Sequence, residues 1–144
     1  MVLFISILLT SCNANLNIGD GIEGSGNVIT EKRKITDSFT KIKASTGVEV
    51  ILEQGNTTEI EVEIDDNLIE YVITKVENGT LIAKIDGNIT TSEVIIIRIK
   101  TAEIDGLKAS SGASIRSKNT LRGTNTRSHW FKAGLEAKYR ERNN

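Results

Sequence analysis

Side chains that could support catalysis are present in this sequence, but they do not form a recognisable constellation. His129 is the only histidine, and no nucleophile stands at a familiar spacing from it. Adjacent Asp65 and Asp66 resemble a carboxylate pair, yet neighbouring side chains on a strand point in opposite directions. We therefore predict no catalytic residue, no metal site and no cofactor. We interpret this segment as a turn that begins a helix, with Asp66 or Asn67 as the N-cap.

Two weaker arrangements suggest other chemistry. Some β-helix proteins cleave polysaccharides with clustered acidic and basic residues, and the candidates for such a cluster here are Asp86, Asp105, Arg98 and Lys100. The segment Gly19–Gly24 matches G-x-G-x-x-G, but a dinucleotide site needs a strand before this motif and a helix after it. A polar segment precedes it here and a strand candidate follows, so a dinucleotide site is not predicted. A carbohydrate-active enzyme remains an alternative hypothesis.

The composition favours strands and argues against a nucleic-acid partner. The 144 residues contain no proline and only 4% aromatic residues, while Ile, Val and Thr are plentiful. The formal net charge is −1, which indicates neither a nucleic-acid binder nor an acidic interaction tail. The charge is unevenly distributed. Up to Gly123 there are 13 Lys and Arg against 17 Asp and Glu (net −4), and residues 124–144 contain 5 against 2 (net +3).

A repeated phrase organises the middle of the chain. Residues 42–50 read Ile-Lys-Ala-Ser-Thr-Gly-Val-Glu-Val, and residues 107–115 read Leu-Lys-Ala-Ser-Ser-Gly-Ala-Ser-Ile. In each copy a short strand ends at small residues, where Gly can take positive φ, and a second short strand follows. Repetition of a strand-corner-strand unit is typical of a stacked, solenoid-like β architecture. The alternative is that Ala-Ser-x-Gly is ordinary turn chemistry used twice.

Alternating apolar residues predict further strands, and one segment has helical spacing. Glu59–Ile64 alternates strictly between acidic and apolar residues, so one face of this strand is acidic. Val94–Ile99 is apolar on both faces at its start, which predicts a central position in a sheet. The dipeptide Asn78-Gly79 predicts a hairpin turn. The apolar spacing after Asn67 predicts one short helix over Leu68–Thr74.

The first twenty residues are typical of a bacterial lipoprotein. Val2–Leu9 is an apolar run too short to span a bilayer, and it leads through small residues to Cys12, as in a lipobox. We predict a signal peptide over residues 1–11, lipidation at Cys12 and a tether over residues 12–20, although Met1-Val2 lacks the expected basic start. The alternative is a buried apolar element that ends in a core cysteine.

The order of these features resembles the "putative auto-transporter adhesin, head GIN domain" family of Bacteroidetes-type bacteria. The resemblance rests on the lipobox, the Gly-Ser-Gly-Asn-Val opening at residues 24–28, the Glu-Ile-Glu-Val strand, and both copies of the repeated phrase. It covers residues 21–123. It implies a secreted or surface-anchored β-solenoid with right-handed, parallel β-helix character and no established enzymatic activity.

The last 21 residues depart from the family pattern. Further corners and strands are expected after residue 115, but alternation fails from Thr124 and a helix from Trp130 to Arg140 is possible. We predict that residues 124–144 are an off-pattern tail and that the β domain over 21–123 is incomplete, as if truncated. Missing layers would leave an apolar end and unpaired backbone groups uncovered. A non-functional truncated fragment is therefore another hypothesis.

The combined prediction is a lipid-anchored protein of the cell envelope, attached to the outer membrane and acting in adhesion or self-association without catalysis. The predicted fold is all-β, a β-solenoid-like stack with antiparallel hairpins and at most one short helix. Its partners would be the membrane, through the lipid, and a polysaccharide, a protein ligand or a second copy. The predicted contact surface is acidic and consists of Glu49, Glu53, Glu59, Glu61 and Glu63. Alternatively, these glutamates only keep an exposed face soluble.

Overall fold

The chain folds almost entirely into strands, as its composition predicts. The computed structural model describes residues 20–123, 135–136 and 139–141. Its strands are β1 (Ile22–Glu23), β2 (Val28–Arg33), β3 (Lys41–Ser45), β4 (Glu49–Gln54), β5 (Glu59–Asp65), β6 (Val72–Glu77), β7 (Thr80–Ile85), β8 (Ile89–Thr91), β9 (Ile95–Thr101), β10 (Gly106–Ala109), β11 (Ser114–Ser117), β12 (Leu121–Gly123), β13 (Leu135–Glu136) and β14 (Tyr139–Glu141). Among the described residues the single helix is a 3-10 helix, Asp66–Tyr71. The predicted all-β class is confirmed.

The larger sheet contains six described strands in the order β13-β11-β4-β9-β5-β2. β13, β11, β4 and β9 are parallel to one another, whereas β5 runs antiparallel to both β9 and β2. β9 lies inside the sheet between β4 and β5, so the central position predicted for it is confirmed. Ile97 stands in register with Val50 on one side and Val62 on the other, and none of the three is exposed to solvent.

The two copies of the repeated phrase pair with each other. In the smaller sheet, of order β10-β3-β7-β6, β10 lies parallel to β3 with Leu107 beside Ile42. In the larger sheet, β11 lies parallel to β4 with Ile115 beside Val50. β7 and β9 are in turn parallel to β3 and β4 on their other side. The repeat is therefore a structural unit of two strands, and its two copies are adjacent layers.

The corner within each copy is made by two successive residues with left-handed backbone. The φ angles are 60° at Thr46 and 74° at Gly47, and 52° at Ser111 and 77° at Gly112. The amide of Gly47 donates a hydrogen bond to the carbonyl of Ser111 at 3.0 Å, which joins the two corners. The predicted use of glycine at positive φ is confirmed. The left-handed Thr or Ser that precedes each glycine was not predicted.

The inner sides of the two sheets share one apolar core. Successive side chains of a strand point to opposite faces, so every second residue of these strands is directed inward. Val50, Ile60, Val62 and Ile97 are at most 2% exposed, as the alternation predicts. The largest fully buried side chains include Ile42, Leu52, Ile64, Leu68, Leu81, Ile97, Ile99, Ile104, Leu107, Ile115 and Leu121. Burial of each such side chain contributes about 1.5–3 kcal/mol to folding.

The helix predicted over Leu68–Thr74 is wrong in its second half. The 3-10 helix ends at Tyr71, and the chain then enters β6, which pairs antiparallel with β7. Residues 72–74 are Val, Ile and Thr, whose branching at Cβ favours a strand over a helix. The hairpin predicted at Asn78-Gly79 is confirmed, and both residues have positive φ, 49° and 73°.

The helix considered for Trp130 to Arg140 is wrong at the residues of this range that the structure describes, 135–136 and 139–140. Leu135–Glu136 and Tyr139–Glu141 are strands that pair in parallel with β11 and β12. Without these two strands the edges of β11 and β12 would carry unpaired backbone groups, so pairing there favours strands over a helix. The tail boundary at Thr124 stays a prediction.

Candidate contact surface

The outer face of the six-stranded sheet collects the five glutamates that the sequence singled out. Because every second residue of β5 is buried, Glu59, Glu61 and Glu63 point to the opposite, solvent side. The same alternation in β4 places Glu49 and Glu53 on this side. β9 lies between β4 and β5, so the five side chains form two acidic columns separated by one strand.

Cationic residues occupy the strands beside these acidic columns. The charged residues of this outer face are Lys32 on β2, Glu59, Glu61 and Glu63 on β5, Arg98 and Lys100 on β9, Glu49 and Glu53 on β4, and Arg116 and Lys118 at β11. On these five strands, whose side chains the structure describes, five positive charges match five negative charges, and the sign alternates from each strand to the next. We call this surface the striped face.

Ion pairs between neighbouring strands connect the columns. Their N–O distances are 2.9 Å for Arg98–Glu63, 2.8 Å for Arg116–Glu49, 3.7 Å for Lys118–Glu53 and 3.7 Å for Lys32–Glu61. Their side chains are between 28% and 80% exposed, so each pair is worth about 0–1 kcal/mol. The sequence predicted an acidic surface, and the structure corrects this, because cations on neighbouring strands neutralise the glutamates. Their role in contact remains a prediction.

A surface groove crosses the striped face. It is lined by Ile51, Glu53, Glu59, Glu61, Arg98, Ile99, Lys100 and Lys118, so three acidic and three basic side chains face it. Its volume is about 190 Å³, below the roughly 300–1,000 Å³ typical of small-molecule sites. The charge balance and the small volume favour contact with an extended partner surface over capture of a small ligand.

The family model described as "Putative auto-transporter adhesin, head GIN domain" matches residues 38–134, more than half of the chain. The chain belongs to this family. The head GIN match includes both copies of the repeated phrase and every strand of the striped face except β2. The family description indicates a cell-surface or envelope protein, and the family is not an enzyme family. No curated protein matches the sequence.

Solved structures of similar fold include proteins from Parabacteroides and Bacteroides species. A structure described as a putative adhesin from Parabacteroides merdae has 26% sequence identity and a TM-score of 0.65, covering 74% of this chain and 45% of that one. A putative adhesin from Bacteroides fragilis has 22% identity and a TM-score of 0.67, with 84% and 54% covered. A putative lipid binding protein from Parabacteroides distasonis has 24% identity and a TM-score of 0.63, with 72% and 46% covered. The latter two likenesses show the fold alone, and the chain spans about half the length of all three proteins.

The residues considered for a carbohydrate-active site do not come together in this head GIN domain. Asp86 follows the end of β7, whereas Asp105 precedes the start of β10. Both strands are parallel to β3, so these carboxylates lie at opposite ends of one sheet, about 20 Å apart at 3.3 Å per residue. Arg98 and Lys100 belong to the other sheet. Within the described ranges, no group of three or more His, Cys, Asp or Glu residues could hold a metal ion.

The turn after β5 does not cap the helix in the predicted way. The N-cap is Asp65, and its side chain makes no capping hydrogen bond. Asp66 instead accepts hydrogen bonds from the Ser25 hydroxyl and from the Asn27 amide, the latter at 2.9 Å. Asn67 accepts from the Ser25 backbone amide at 2.9 Å. The hydrogen bonds from Ser25 and Asn27 lower the pKa of the Asp66 carboxyl. Side-chain hydrogen bonds from this turn therefore hold the residues before β2 against the end of β5.

The glycine motif near the start of the described chain serves packing rather than nucleotide binding. Its described part contains β1, and the next element is the strand β2, so the helix that a dinucleotide site requires does not follow. A Cβ at Gly24 would collide with the buried carboxylate of Asp65. Gly24 therefore allows the chain to pass close to this side chain.

The predicted anchor cannot be placed in the fold. Cys12 and residues 1–11 lie outside the described residues, as does the tether apart from Asp20. In the part of the chain that the structure does describe, no helix is both long and apolar enough to cross a bilayer.

A second charged surface, which was not predicted from the sequence, lies on the outer side of the four-stranded sheet. Outward positions of β3, β6, β7 and β10 carry Lys41, Lys43, Lys75, Lys84 and Lys108. We call this surface the basic face. One signal was available, because both copies of the repeated phrase carry Lys at the same position. That these lysines become neighbours follows from strand order, which a single sequence does not display.

Proposed function

We propose that this chain is a non-catalytic adhesion module of the cell envelope that associates with a second copy of itself through the striped face. The observation that carries the proposal is the alternation of charge sign across β2, β5, β9, β4 and β11. Membership of the head GIN family supports adhesion as the class of function.

An alternating pattern of this kind is complementary to itself. We consider two striped faces related by a two-fold axis that runs parallel to the strands, between β9 and β4. Basic β9 of one copy then faces acidic β4 of the other, and acidic β5 faces basic β11. Two-fold contacts between identical patches are the commonest arrangement in homo-oligomers. Opposite signs therefore meet at both of these strand pairs, and the pattern needs no other partner.

The proposed contact has a low affinity between two single molecules, but many such contacts together can hold two surfaces to each other. Exposed ion pairs contribute little individually and are screened by salt. Copies displayed together on a surface make many such contacts at once, and the combined avidity exceeds that of one contact. This favours a role between surfaces over a role as a stable dimer in solution.

We propose that the parallel layers provide a stiff support for this surface. β7 with β9, β3 with β4, and β10 with β11 are three successive two-strand layers in parallel register. We interpret them as a short β-solenoid with an antiparallel edge formed by β5, β2 and β6. A stacked support of this kind keeps the spacing of the stripes constant.

Self-association is tested on beads that carry the chain at high density. Wild-type beads are expected to aggregate at low salt and to disperse as salt screens the stripes. Glu49→Lys with Glu53→Lys makes the β4 column basic, so β4 and β9 of opposing copies repel, and aggregation should fall at least tenfold. The matched control is Glu70→Lys with Glu103→Lys, which changes the net charge equally at exposed positions off the striped face. Equal aggregation of both double variants, at unchanged thermal midpoints, would contradict the proposal.

We propose that a lipid at Cys12 holds these copies on the outer membrane. Diacyl anchoring attaches a chain far more firmly than a single acyl chain does. Cells expressing the full chain or its Cys12→Ala variant are labelled with radioactive palmitate. Label is expected in the wild type and absent from the variant. Equal labelling of the two chains would rule out this anchor and leave the self-association test unaffected.

A further inference from the structure

The basic face carries an excess of positive charge that the rest of the described surface does not share. Its outward strand positions hold five lysines and one acidic residue, Glu77. The striped face balances five cations against five glutamates. A local net charge of +4 on one face is notable because the whole chain has a net charge of −1. Most of the compensating acidic residues therefore lie elsewhere.

Strand register brings the lysines of the basic face together. Lys108 stands beside Lys43 in the parallel pair of β10 and β3, and the same row continues through Ile82 to Lys75. Neighbouring strands are about 4.8 Å apart, and like charges directly opposite each other are destabilising. The fold tolerates the repulsion between Lys43 and Lys108, which occupy the same position in the two copies of the repeated phrase.

Glu77, an acidic residue on β6, interacts with three of these lysines. It pairs with Lys75 at 2.7 Å. Its pKa is lowered chiefly by that contact, and the charges of Lys84 and Lys43 lower it further. One carboxylate therefore interacts with three cations, so Lys43, Lys75 and Lys84 together outnumber the negative charge of Glu77.

We propose that the basic face binds the anionic headgroup surface of a lipid membrane. All five cations are lysines, which are compact charges on flexible stems, whereas recognition of one defined phosphate or carboxylate favours the planar fork of arginine. The amines are distributed over four neighbouring strands rather than along one line. A two-dimensional array of mobile charges matches a two-dimensional anionic surface, and each lysine near such a surface adds to the attraction.

This binding would set the orientation of the domain. The two sheets pack their inner sides against one core, so the basic face and the striped face look in opposite directions. A domain that lies on a membrane by its basic face presents the striped face away from that membrane. Neither lipid at Cys12 nor self-association is required for this binding.

The test uses the full chain carrying Cys12→Ala, so that no acyl chain contributes. Binding is measured by co-sedimentation with vesicles of equal parts phosphatidylglycerol and phosphatidylcholine, and with vesicles of phosphatidylcholine alone. We expect binding to the anionic vesicles only, with a marked loss between low salt and about 0.15 M salt. Replacing Lys43, Lys75 and Lys84 by Gln should weaken binding on the order of 100-fold.

The matched control replaces Lys32, Lys100 and Lys118 of the striped face by Gln, an identical change in net charge. Binding by this control should fall less than tenfold. Equal losses in the two triple variants would overturn the assignment to the basic face, and so would binding that ignores salt or lipid charge. Binding to soluble heparin without binding to anionic vesicles would replace the membrane with a polyanionic polymer. Because the self-association test alters Glu49 and Glu53, the two proposals can fail separately.

Discussion

At the scale of single residues, the corners of the repeated phrase combine two kinds of left-handed residue. Gly47 and Gly112 adopt positive φ at little cost, because glycine has no Cβ. Thr46 and Ser111 adopt it as well, and for residues with a Cβ this conformation costs about 1–2 kcal/mol. Stacking of the corners, through the hydrogen bond from Gly47 to Ser111, holds these residues in place.

Thr46→Gly is expected to stabilise the domain. The side chain of Thr46 is exposed, so little packing is lost, and the strain at φ 60° is relieved. Glycine also increases the entropy of the unfolded chain, so we expect a net gain of about 0.5–1 kcal/mol in the free energy of unfolding. Urea denaturation measures the change. The control is Thr58→Gly in an exposed loop without positive φ, where the same substitution should give no gain. A loss at Thr46 as large as at Thr58 would contradict this account.

At the scale of the element, β9 contributes to both faces of the larger sheet, the buried inner face and the charged outer face. Its inward residues pack between β4 and β5 in the core, and its outward residues separate the two acidic columns. Two adjacent isoleucines illustrate the difference. Ile97 is fully buried, whereas Ile96 lies partly exposed on the outer face.

Ile97→Ala should be much more damaging than Ile96→Ala, although the chemical change is the same. Removing a fully buried isoleucine leaves a cavity and costs about 2–5 kcal/mol. The same truncation at Ile96 leaves a space that water can enter, so we expect less than half that loss in the free energy of unfolding. Denaturant midpoints of the two variants provide the comparison. Similar losses at both positions would mean that β9 is not oriented as described.

At the scale of the whole molecule, long-range side-chain hydrogen bonds join the start of the described chain to the turn after β5, in addition to the strand ladders. Asp66 bonds Ser25 and Asn27, about forty residues earlier in the chain. Asn67 donates to the carbonyl of Glu23 at 2.8 Å. These contacts hold the segment that contains β1 and the start of β2.

This connection should depend on pH. The folded pKa of Asp66 lies below its ordinary value of 3.8. Its stabilising contribution is therefore complete above that value, and it is lost as the pH falls through the lower, folded value. Asp66→Asn should be less stable than the wild type at neutral pH, and this difference should shrink towards pH 3 and below. Asp37→Asn at an exposed turn is the control for the change in charge. A difference that is constant from neutral to acid pH would show that the Asp66 charge has no such role.

The sequence by itself determined most of the strands and the direction of their side chains. Alternation is a local property of the extended backbone, so the burial of Ile60, Val62 and Ile97 was predictable, as was the outward direction of Glu59, Glu61 and Glu63. Turn chemistry was equally local, as the hairpin at Asn78-Gly79 demonstrates. The family resemblance was also readable, because its motifs are short segments in a fixed order.

Only the tertiary structure decided which strands are neighbours, and the charge of each face follows from that order. Arg98 lies more than thirty positions from Glu61 in the chain, yet the two are in register in the sheet and help to turn an acidic strand into part of a neutral surface. Strand order also makes Lys43 and Lys108 neighbours, and in this case it brings like charges together. The side on which a residue points depends on its own backbone. Which residue lies beside it depends on the long-range pairing of strands. The free energy that stabilises this pairing comes from the core that the whole domain shares.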